Sequence, residues 1–337
     1  MQVRLIGKAN GVGLSRDINL LAAGLRASGC EVQQLPCDRR ERRRRRSIFV
    51  QLGARLRRSR PKAGRAACDV NIMLEHVWPQ FLNQAPLNVL VPNPEWFDRR
   101  DAKLLGRFDR VWAKTAVTQQ IFDEQDCRTV NIGFDSEDRM AEGIERAPCF
   151  LHLAGRSELK GTARLLEQWQ RHPEWPRLTV IQDASAVTTT HRVTADNIVL
   201  ETQFLDDARL LALQNSHRFH LCLSEAEGWG HYIAEAMSCA AVTLTCDAAP
   251  MNELVTNERG LLLAARPAGM HNLSRVCLFE PAALEAAVAL VTTMPTARLD
   301  ALGSAARRWF LDNKRDFPER LQRAVGDLDS ELARVRA

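Results

Sequence analysis

Residues 218–238 read RFHLCLSEAEGWGHYIAEAMS, and the fold turns on how they are read. The run 218–225 is short, apolar and followed by turn residues, which marks a buried strand. Gly228-Trp229-Gly230 is a turn, and His231 to Met237 suit a helix. A strand that feeds a helix in this way belongs to a parallel sheet, and it delivers the chain to the sheet edge where ligands of such folds bind. Two carboxylates bracket the turn. Glu227 precedes it, and Glu235 follows His231 by four residues, on the same face of the first helical turns. Glycines let backbone N–H groups approach a ligand closely. The helix start adds N–H donors and partial positive charge, which suit a phosphate. One carboxylate can then face each end of a ligand, accepting hydrogen bonds from the paired hydroxyls of a sugar or a ribose.

The same alternation extends outward in both directions. Val3–Ile6 is a short apolar strand, "NGVG" at 10–13 punctuates it, and Ile18, Leu21, Ala22 and Leu25 trace a helical stripe that Gly29 closes. Cys30-Glu31-Val32 starts the next strand. Further strands are expected at 68–74, 87–91, 108–113 and 129–134. The pattern restarts with "CFLHLAG" at 149–155 and continues at 177–183, 196–202, 218–225, 241–247 and 260–264. Strands alternating with helices predict α/β architecture with doubly wound parallel sheets. A chain of 337 residues is too long for one ordinary core. The expected organisation is an N-terminal domain over 1–146, a second domain over 147–311, and a helical tail over 312–337 that packs back on the first domain.

Composition narrows the class. With 45% hydrophobic and 26% charged residues the chain is a globular protein, and no run of about 18 uncharged apolar residues is present to span a bilayer. The N-terminus lacks the basic start and apolar core of a signal peptide. Nine cysteines without a Cys-x-x-Cys read as reduced, buried thiols rather than a zinc site or disulfide framework, so a cytoplasmic location is expected. The net charge of +5 conceals an asymmetry. Asp38–Arg65 holds twelve arginines and one lysine against two acids, which is +11, and leaves −6 for the remainder. With "RRERRRRR" at 39–46, like-charge repulsion and few apolar groups predict a solvated loop rather than a packed helix or strand.

The stretch 224–245 resembles the Glu-x7-Glu signature of retaining nucleotide-sugar glycosyltransferases of the GT-B fold, the family-four kind. Ser224, Glu227, Gly228, Gly230, Glu235, Ala236, Met237 and Val242 match the family pattern. Trp229 replaces Phe, His231 and Tyr232 stand where Leu and Pro are common, and Ala240 replaces a glycine. "AGRSELKGT" at 154–162 resembles the family's Gly-Arg-…-Lys-Gly element, with a shorter spacing between Arg156 and Lys160. "APMNELV" at 249–255 resembles its Pro-Glu-Val turn. The resemblance is explicit over the second domain and rests on pattern alone in the first. It implies two Rossmann-like domains facing a central cleft. It also implies that Glu235 holds ribose hydroxyls, Glu227 a hydroxyl of the donor sugar, and Arg156 and Lys160 the diphosphate. Gly228, Trp229, Gly230, His231 and Tyr232 form the loop and helix start around the nucleotide, and Met251 and Asn252 offer backbone contacts to phosphate. In the first domain the glycine loop ending at Gly13 and the strand-end His76 are the implied contacts, His76 to the donor sugar. Glu95 and Trp96 end another strand on the same side.

The implied reaction is sugar transfer from a UDP- or GDP-linked donor with retention, without a metal or other cofactor. Asp327-Leu328-Asp329 lies in the terminal helix and is not read as a metal site. Two rivals accompany this reading. One is a sugar-phosphate phosphorylase or epimerase of the same fold. The other is an inactive polyanion-binding protein, motivated by the arginine run and opposed by the joint presence of Arg156, Lys160, Glu227 and Glu235. The run at 39–65 is expected either to be a passive loop or to capture an anionic acceptor: a lipid phosphate, a glycan or nucleic acid. A lipid acceptor would put the protein at the inner face of a membrane.

Overall fold

A computed structural model describes residues 1–8, 13–56, 66–186 and 194–336, without the side chains of residues 39, 42, 46, 55 and 56. Asn10, Gly11 and Val12 of the glycine loop and residues 57–65 of the arginine segment lie outside the described residues. The chain divides into two compact units. The first comprises Met1–Asp135, His271–Ser274 and Lys314–Ala337; the second comprises Ser136–Met270 and Arg275–Asn313.

The first unit contains β1 (Gln2–Gly7), α1 (Gly13–Ala27), β2 (Glu31–Pro36), α2 (Arg39–Arg46), α3 (Ile48–Leu56), β3 (Val70–Glu75), β4 (Leu87–Pro92), α4 (Arg99–Ala102), β5 (Arg110–Ala113), α5 (Ala116–Asp123) and β6 (Thr129–Asn131). Its strands form one parallel sheet in the order β2-β1-β3-β4-β5-β6. β3 and β4 are buried almost throughout, as strands covered on both faces must be. Ile6, Met73, Leu90, Val111, Trp78, Phe97 and Phe122 meet in one apolar cluster on the sheet.

The second unit contains β7 (Ala147–Gly155), α6 (Thr162–Gln170), β8 (Leu178–Gln182), β9 (Ile198–Glu201), α7 (Asp207–Ser216), β10 (His217–Cys222), α8 (His231–Ser238), β11 (Val242–Cys246), α9 (Met251–Leu254), β12 (Leu261–Leu263), β13 (Ala265–His271), β14 (Ser274–Phe279), α10 (Pro281–Thr293) and the start of α11 (Thr296–Arg336). Its main sheet is parallel, in the order β12-β11-β10-β7-β8-β9. Phe150 of β7 packs against Trp169 of α6 and Phe219 of β10, with ring centroids at 5.0 and 4.7 Å. All twelve strands of the two sheets fall where the alternation of apolar runs predicts them.

Four features differ from the sequence expectations. First, the segment beginning at Asp38 is helical, as α2 and α3, and not a loop. Asp38 caps α2 by accepting from the N–H groups of Arg40 and Glu41. Arg45 turns inward, where Nη2 donates to Asp101 Oδ2 at 2.5 Å and Asp98 Oδ2 at 3.1 Å, and Nε donates to the Val77 carbonyl. Gln51 and Ala54 of α3 are buried beneath it, with Gln51 Nε2 donating to the Arg45 carbonyl. Repulsion among exposed arginines is weak in water, and one buried arginine paired with two carboxylates fixes the segment. Second, the units part at Asp135/Ser136, earlier than 146/147. Residues 136–146 are tied into the second unit: the Arg139 N–H donates to Ser238 Oγ, its Nε donates to Gln214, and Arg146 Nη1 donates to the Ala240 carbonyl. Third, the terminal helix begins at Thr296, not in the region of residue 312. It is amphipathic, with Phe317, Leu321, Leu328 and Leu332 buried, and in the first unit Phe317 meets Phe134 at 5.5 Å. Fourth, β13 and β14 form a two-stranded sheet that sequence reading missed, turning at Asn272 with φ +54°.

The Arg45 anchor yields a prediction. Asp101 is fully buried, so Asp101→Ala leaves the Arg45 charge stranded in the interior. Urea unfolding should show a loss of about 3–5 kcal/mol, the range for halving a buried ion pair. A loss within about 0.5 kcal/mol would mean that the pair is not what fixes α2.

Candidate functional site

In the second unit the strand order reverses between β7 and β10, which are direct neighbours. Chains leaving these two strands move apart, and the gap at their C-terminal ends is where doubly wound sheets bind ligands. The loop after β7 carries Arg156 and Lys160; the loop after β10 carries Ser224, Glu227 and the start of α8. Two sequence elements about seventy residues apart therefore meet at one edge.

Gly161 locks their approach. It adopts φ +70°, and a Cβ there would lie 2.6 Å from the Leu223 carbonyl oxygen. The Glu225 N–H donates to the Leu159 carbonyl at 2.8 Å, stitching the two loops together. Beneath them His152 of β7 bridges both elements. Its Nδ1 lies 2.8 Å from the Leu221 carbonyl and its Nε2 lies 2.9 Å from Thr162 Oγ1 at the start of α6. A carbonyl only accepts, so Nδ1 carries the proton and Nε2 accepts from Thr162. Burial pushes the His152 pKa down to about 4.

Lys160 and Glu227 form an ion pair, with side chains 16% and 13% exposed. The Lys160 ammonium also lies 3.7 Å from the centre of the Tyr232 ring, a cation–π contact. Ser224 Oγ is 2.5 Å from Glu227 Oε1 and 2.5 Å from Tyr232 Oη. An ionised carboxylate only accepts, so Ser224 donates to Glu227 and receives the Tyr232 proton. Burial drives the Tyr232 pKa well above 10, which keeps the phenol protonated for that donation. The Ser224 N–H donates to the same phenol oxygen at 3.1 Å. The Lys160 ammonium and the Ser224 hydroxyl both donate to Glu227 Oε1. Oε2 has no hydrogen-bond partner among the described residues.

Other expected site residues have defined places. Gly228 is buried in the turn, and Gly230 adopts φ +93° as the residue before α8. The Trp229 indole N–H donates to Ser136 Oγ at 3.0 Å, a bond phenylalanine has no group to make, and His231 Nδ1 lies 2.8 Å from the same oxygen. Glu235 sits in the second turn of α8, 5% exposed, and accepts from Gln214 Nε2 at 3.4 Å. Arg156 is at the rim: its side chain is 67% exposed, and its Nε donates to Asp183 Oδ2 at 2.8 Å. Hydrogen bonds from Ser185 and then Arg156 hold the Asp183 carboxyl well below the usual range. Met251 is buried, and the Asn252 N–H donates to the Ala248 carbonyl at 3.1 Å, so that amide is already engaged. Among the described residues no three His, Cys, Asp or Glu side chains converge to hold a metal.

Gly13 and His76 belong to the first unit. Gly13 opens α1, and a Cβ there would meet nothing within 4 Å. His76 follows β3, and the order of that sheet reverses between β1 and β3. Its Nδ1 lies 3.2 Å from Asp101 Oδ2. Glu75 beside it adopts φ +64°, an outlying conformation for this residue type, and burial pushes its carboxyl pKa up. Glu95 is buried and Trp96 is 42% exposed, packing edge-on against His271 at 5.4 Å. Sequence reading gave no role to Ser136, Ser224, Glu75, Asp101 or Asp183. Only Ser224, inside the matched motif, carried a signal.

The fold has solved counterparts. A sucrose-phosphate synthase from Thermosynechococcus elongatus is 12% identical, matches over 98% of each chain and has a TM-score of 0.69. A glycosyltransferase from Rickettsia africae is 12% identical, also over 98% of each, with a TM-score of 0.64. The pneumococcal O-GlcNAc transferase GtfA, solved with UDP and GlcNAc, is 12% identical over 77% of this chain, with a TM-score of 0.58. This chain spans 57% of the length of that protein. At these identities the likeness establishes the fold, which is GT-B with two Rossmann-like units. No family model and no curated protein matches the sequence.

Two predictions follow from the geometry around Lys160. Gly161→Ala should destabilise the protein by roughly 1–3 kcal/mol, because φ and the Leu223 carbonyl both resist a Cβ. Thermal melting of that variant at wild-type Tm would contradict the close approach. His152 gives a pH signature. Its folded pKa of about 4 lies below the ordinary 6.5, so the unfolded chain takes up the proton first as pH falls. The stability His152 contributes is therefore whole above pH 6.5 and is lost progressively between 6.5 and about 4. The stability gap between wild type and His152→Gln, from urea titrations, should narrow across that window. A constant gap would show that His152 does not titrate there.

Proposed function

We propose that the protein is a retaining glycosyltransferase that moves a sugar from a UDP- or GDP-linked donor to an acceptor, without a metal or other cofactor. The observation that carries this reading is the convergence of Lys160, Glu227, Ser224 and Tyr232 at the strand reversal, next to the N-terminus of α8. A cation and a carboxylate side by side suit the two charges of the reaction. Breaking the bond from the anomeric carbon to the diphosphate oxygen leaves negative charge on phosphate and positive character on the sugar. In this reading Lys160, Arg156 and the start of α8 stabilise the developing phosphate charge. Glu227 Oε2 suits a hydroxyl of the donor sugar, and Glu235 the ribose hydroxyls. The acceptor oxygen attacks the anomeric carbon on the face the phosphate leaves, and a departing phosphate oxygen takes the acceptor's proton. Retention then needs no enzymic nucleophile.

The Lys160–Glu227 pair gives the site an exchange. A diphosphate carries more negative charge than one carboxylate and draws the ammonium toward itself. Glu227 then keeps only the Ser224 hydrogen bond and has more accepting capacity for the sugar. The solved relatives lend weight here through their own names, a sucrose-phosphate synthase and an O-GlcNAc transferase bound to UDP.

Three measurements test the proposal. Glu235→Ala should weaken UDP or GDP binding by roughly 1–3 kcal/mol in calorimetry, the range for a charged hydrogen bond, and unchanged affinity for both would remove Glu235 from the site. Lys160→Ala should lower kcat more than it raises KM for the donor, since it acts on charge that develops in the transition state. The wild-type rate should survive a chelator. A rate that collapses in chelator and returns with manganese contradicts the metal-free step.

A further inference from the structure

Helices α2 and α3 of the first unit are arranged opposite to a solvated surface hairpin. Arg45 faces inward and is 6% exposed, whereas Ile48, Phe49 and Leu52 face outward at 74%, 82% and 51%. In α3 these three residues are spaced i, i+1 and i+4, which puts them on one face. Gln51 and Ala54 occupy the other face and are buried. The helix thus hides a glutamine and an alanine and offers its large apolar side chains to the outside. In α2, Arg40, Arg43 and Arg44 share a face by their i, i+3 and i+4 spacing, and all three are exposed. The platform under them is fixed. Arg45 bonds Asp98, Asp101 and the Val77 carbonyl, Gln80 Nε2 donates to Glu41 Oε2 at 2.9 Å, and Arg107 donates to the Ala54 carbonyl and to Asn83.

We propose that the outer face of α2 and α3 docks on an anionic lipid membrane, with Phe49, Ile48 and Leu52 entering the interface and the arginines meeting lipid phosphates. Exposed phenylalanine, isoleucine and leucine on one short helix cost solvation that no contact among the described residues recovers, and a bilayer interface recovers it. Guanidinium groups pair with phosphate in bidentate fashion, and the segment Asp38–Arg65 carries +11 in a chain that is otherwise −6. Each basic group near an anionic bilayer adds about fivefold to binding. A nucleic acid would use the same arginines and could stack on Phe49, but it gives no partner to Ile48 and Leu52. The aliphatic pair therefore favours lipid. No helix among the described residues is long and apolar enough to cross a membrane, so attachment through this face is to the surface. The inference is independent of the sugar-transfer reading, and its test measures no catalysis.

The test is flotation of the full chain with vesicles of phosphatidylcholine alone or with about a third phosphatidylglycerol. Binding is expected to the anionic vesicles only, at about 0.1 M salt, and to fall steeply toward about 1 M as charges are screened. Phe49→Ser should weaken it about tenfold or more, and joint replacement of Arg40, Arg43 and Arg44 by Ser should abolish it. Both variants alter exposed side chains, so circular dichroism and Tm should match wild type. Absence of binding to anionic vesicles overturns the proposal. So does binding that Phe49→Ser leaves unchanged. A structured RNA probe that binds more tightly than the vesicles, with no loss in Phe49→Ser, assigns the face to nucleic acid instead.

Discussion

Each of the two sheets reverses its strand order once, and that single reversal decides where chemistry can gather. In the second unit it falls between β7 and β10; in the first, between β1 and β3. Parallel strands deliver the chain to one edge, and right-handed crossovers then force the connections at a reversal onto opposite faces. The backbone withdraws on both sides, so side chains and helix starts must fill the edge. This is why Lys160 and Glu227, far apart in sequence, become partners, and why Glu75 and His76 stand where they do in the first unit. The closeness of the two loops needs Gly161 against the Leu223 carbonyl, a contact that permits no side chain.

Within that edge the electrostatics are arranged in layers. His152, directly below, is kept neutral by burial and spends both ring nitrogens on β10 and α6. Tyr232, also neutral, passes a hydrogen bond through Ser224 to Glu227. Neutral groups thus hold the Lys160–Glu227 pair in place from below and from the side. A buried ammonium beside a carboxylate is costly to desolvate unless both are bonded further. The phenol, the hydroxyl and the aromatic face supply those bonds here. Tyr232 does this at a position where the family pattern has proline, which has neither a donor nor a ring of this kind.

How much of this was legible follows from how local each cause is. Strand positions were readable because apolar runs and their period are local, and all twelve sheet strands could be placed. The motif at 224–238 was readable because glycine and carboxylate spacing is local too. The arginine segment was misread because its determinant is distant: Asp98 and Asp101, more than fifty residues on, supply the counter-charge that lets α2 form. The hairpin of β13 and β14 escaped because residues 265–271 lack apolar alternation and contain Pro267 and Gly269, which read as strand breakers. The boundary at Asp135/Ser136 was hidden because Arg139 and Arg146 commit their segment through bonds to α7, α8 and the turn after it. Ser224 had a place in the motif, but its role required knowing that Tyr232 and Glu227 stand on either side of it.

Charge sums obscure the same distinction. The arginine run contributes +11 on paper, yet its members do opposite things. Arg45 is interior, bonded to Asp98, Asp101 and the Val77 carbonyl, and structural, like Lys114, whose ammonium meets Asp17 at 2.5 Å and Asn93 at 2.9 Å. Arg40, Arg43 and Arg44 are exposed and screened by salt, so they act on anionic groups within about a Debye length. The interior pairs are screened little by salt, whereas the exterior cations act less as ionic strength rises and more when an anionic surface is near. Net charge therefore predicts association only after the interior pairs have been set aside. For this segment that subtraction removes Arg45 and leaves a basic face in which Arg44 shares a 3.6 Å ion pair with Glu41.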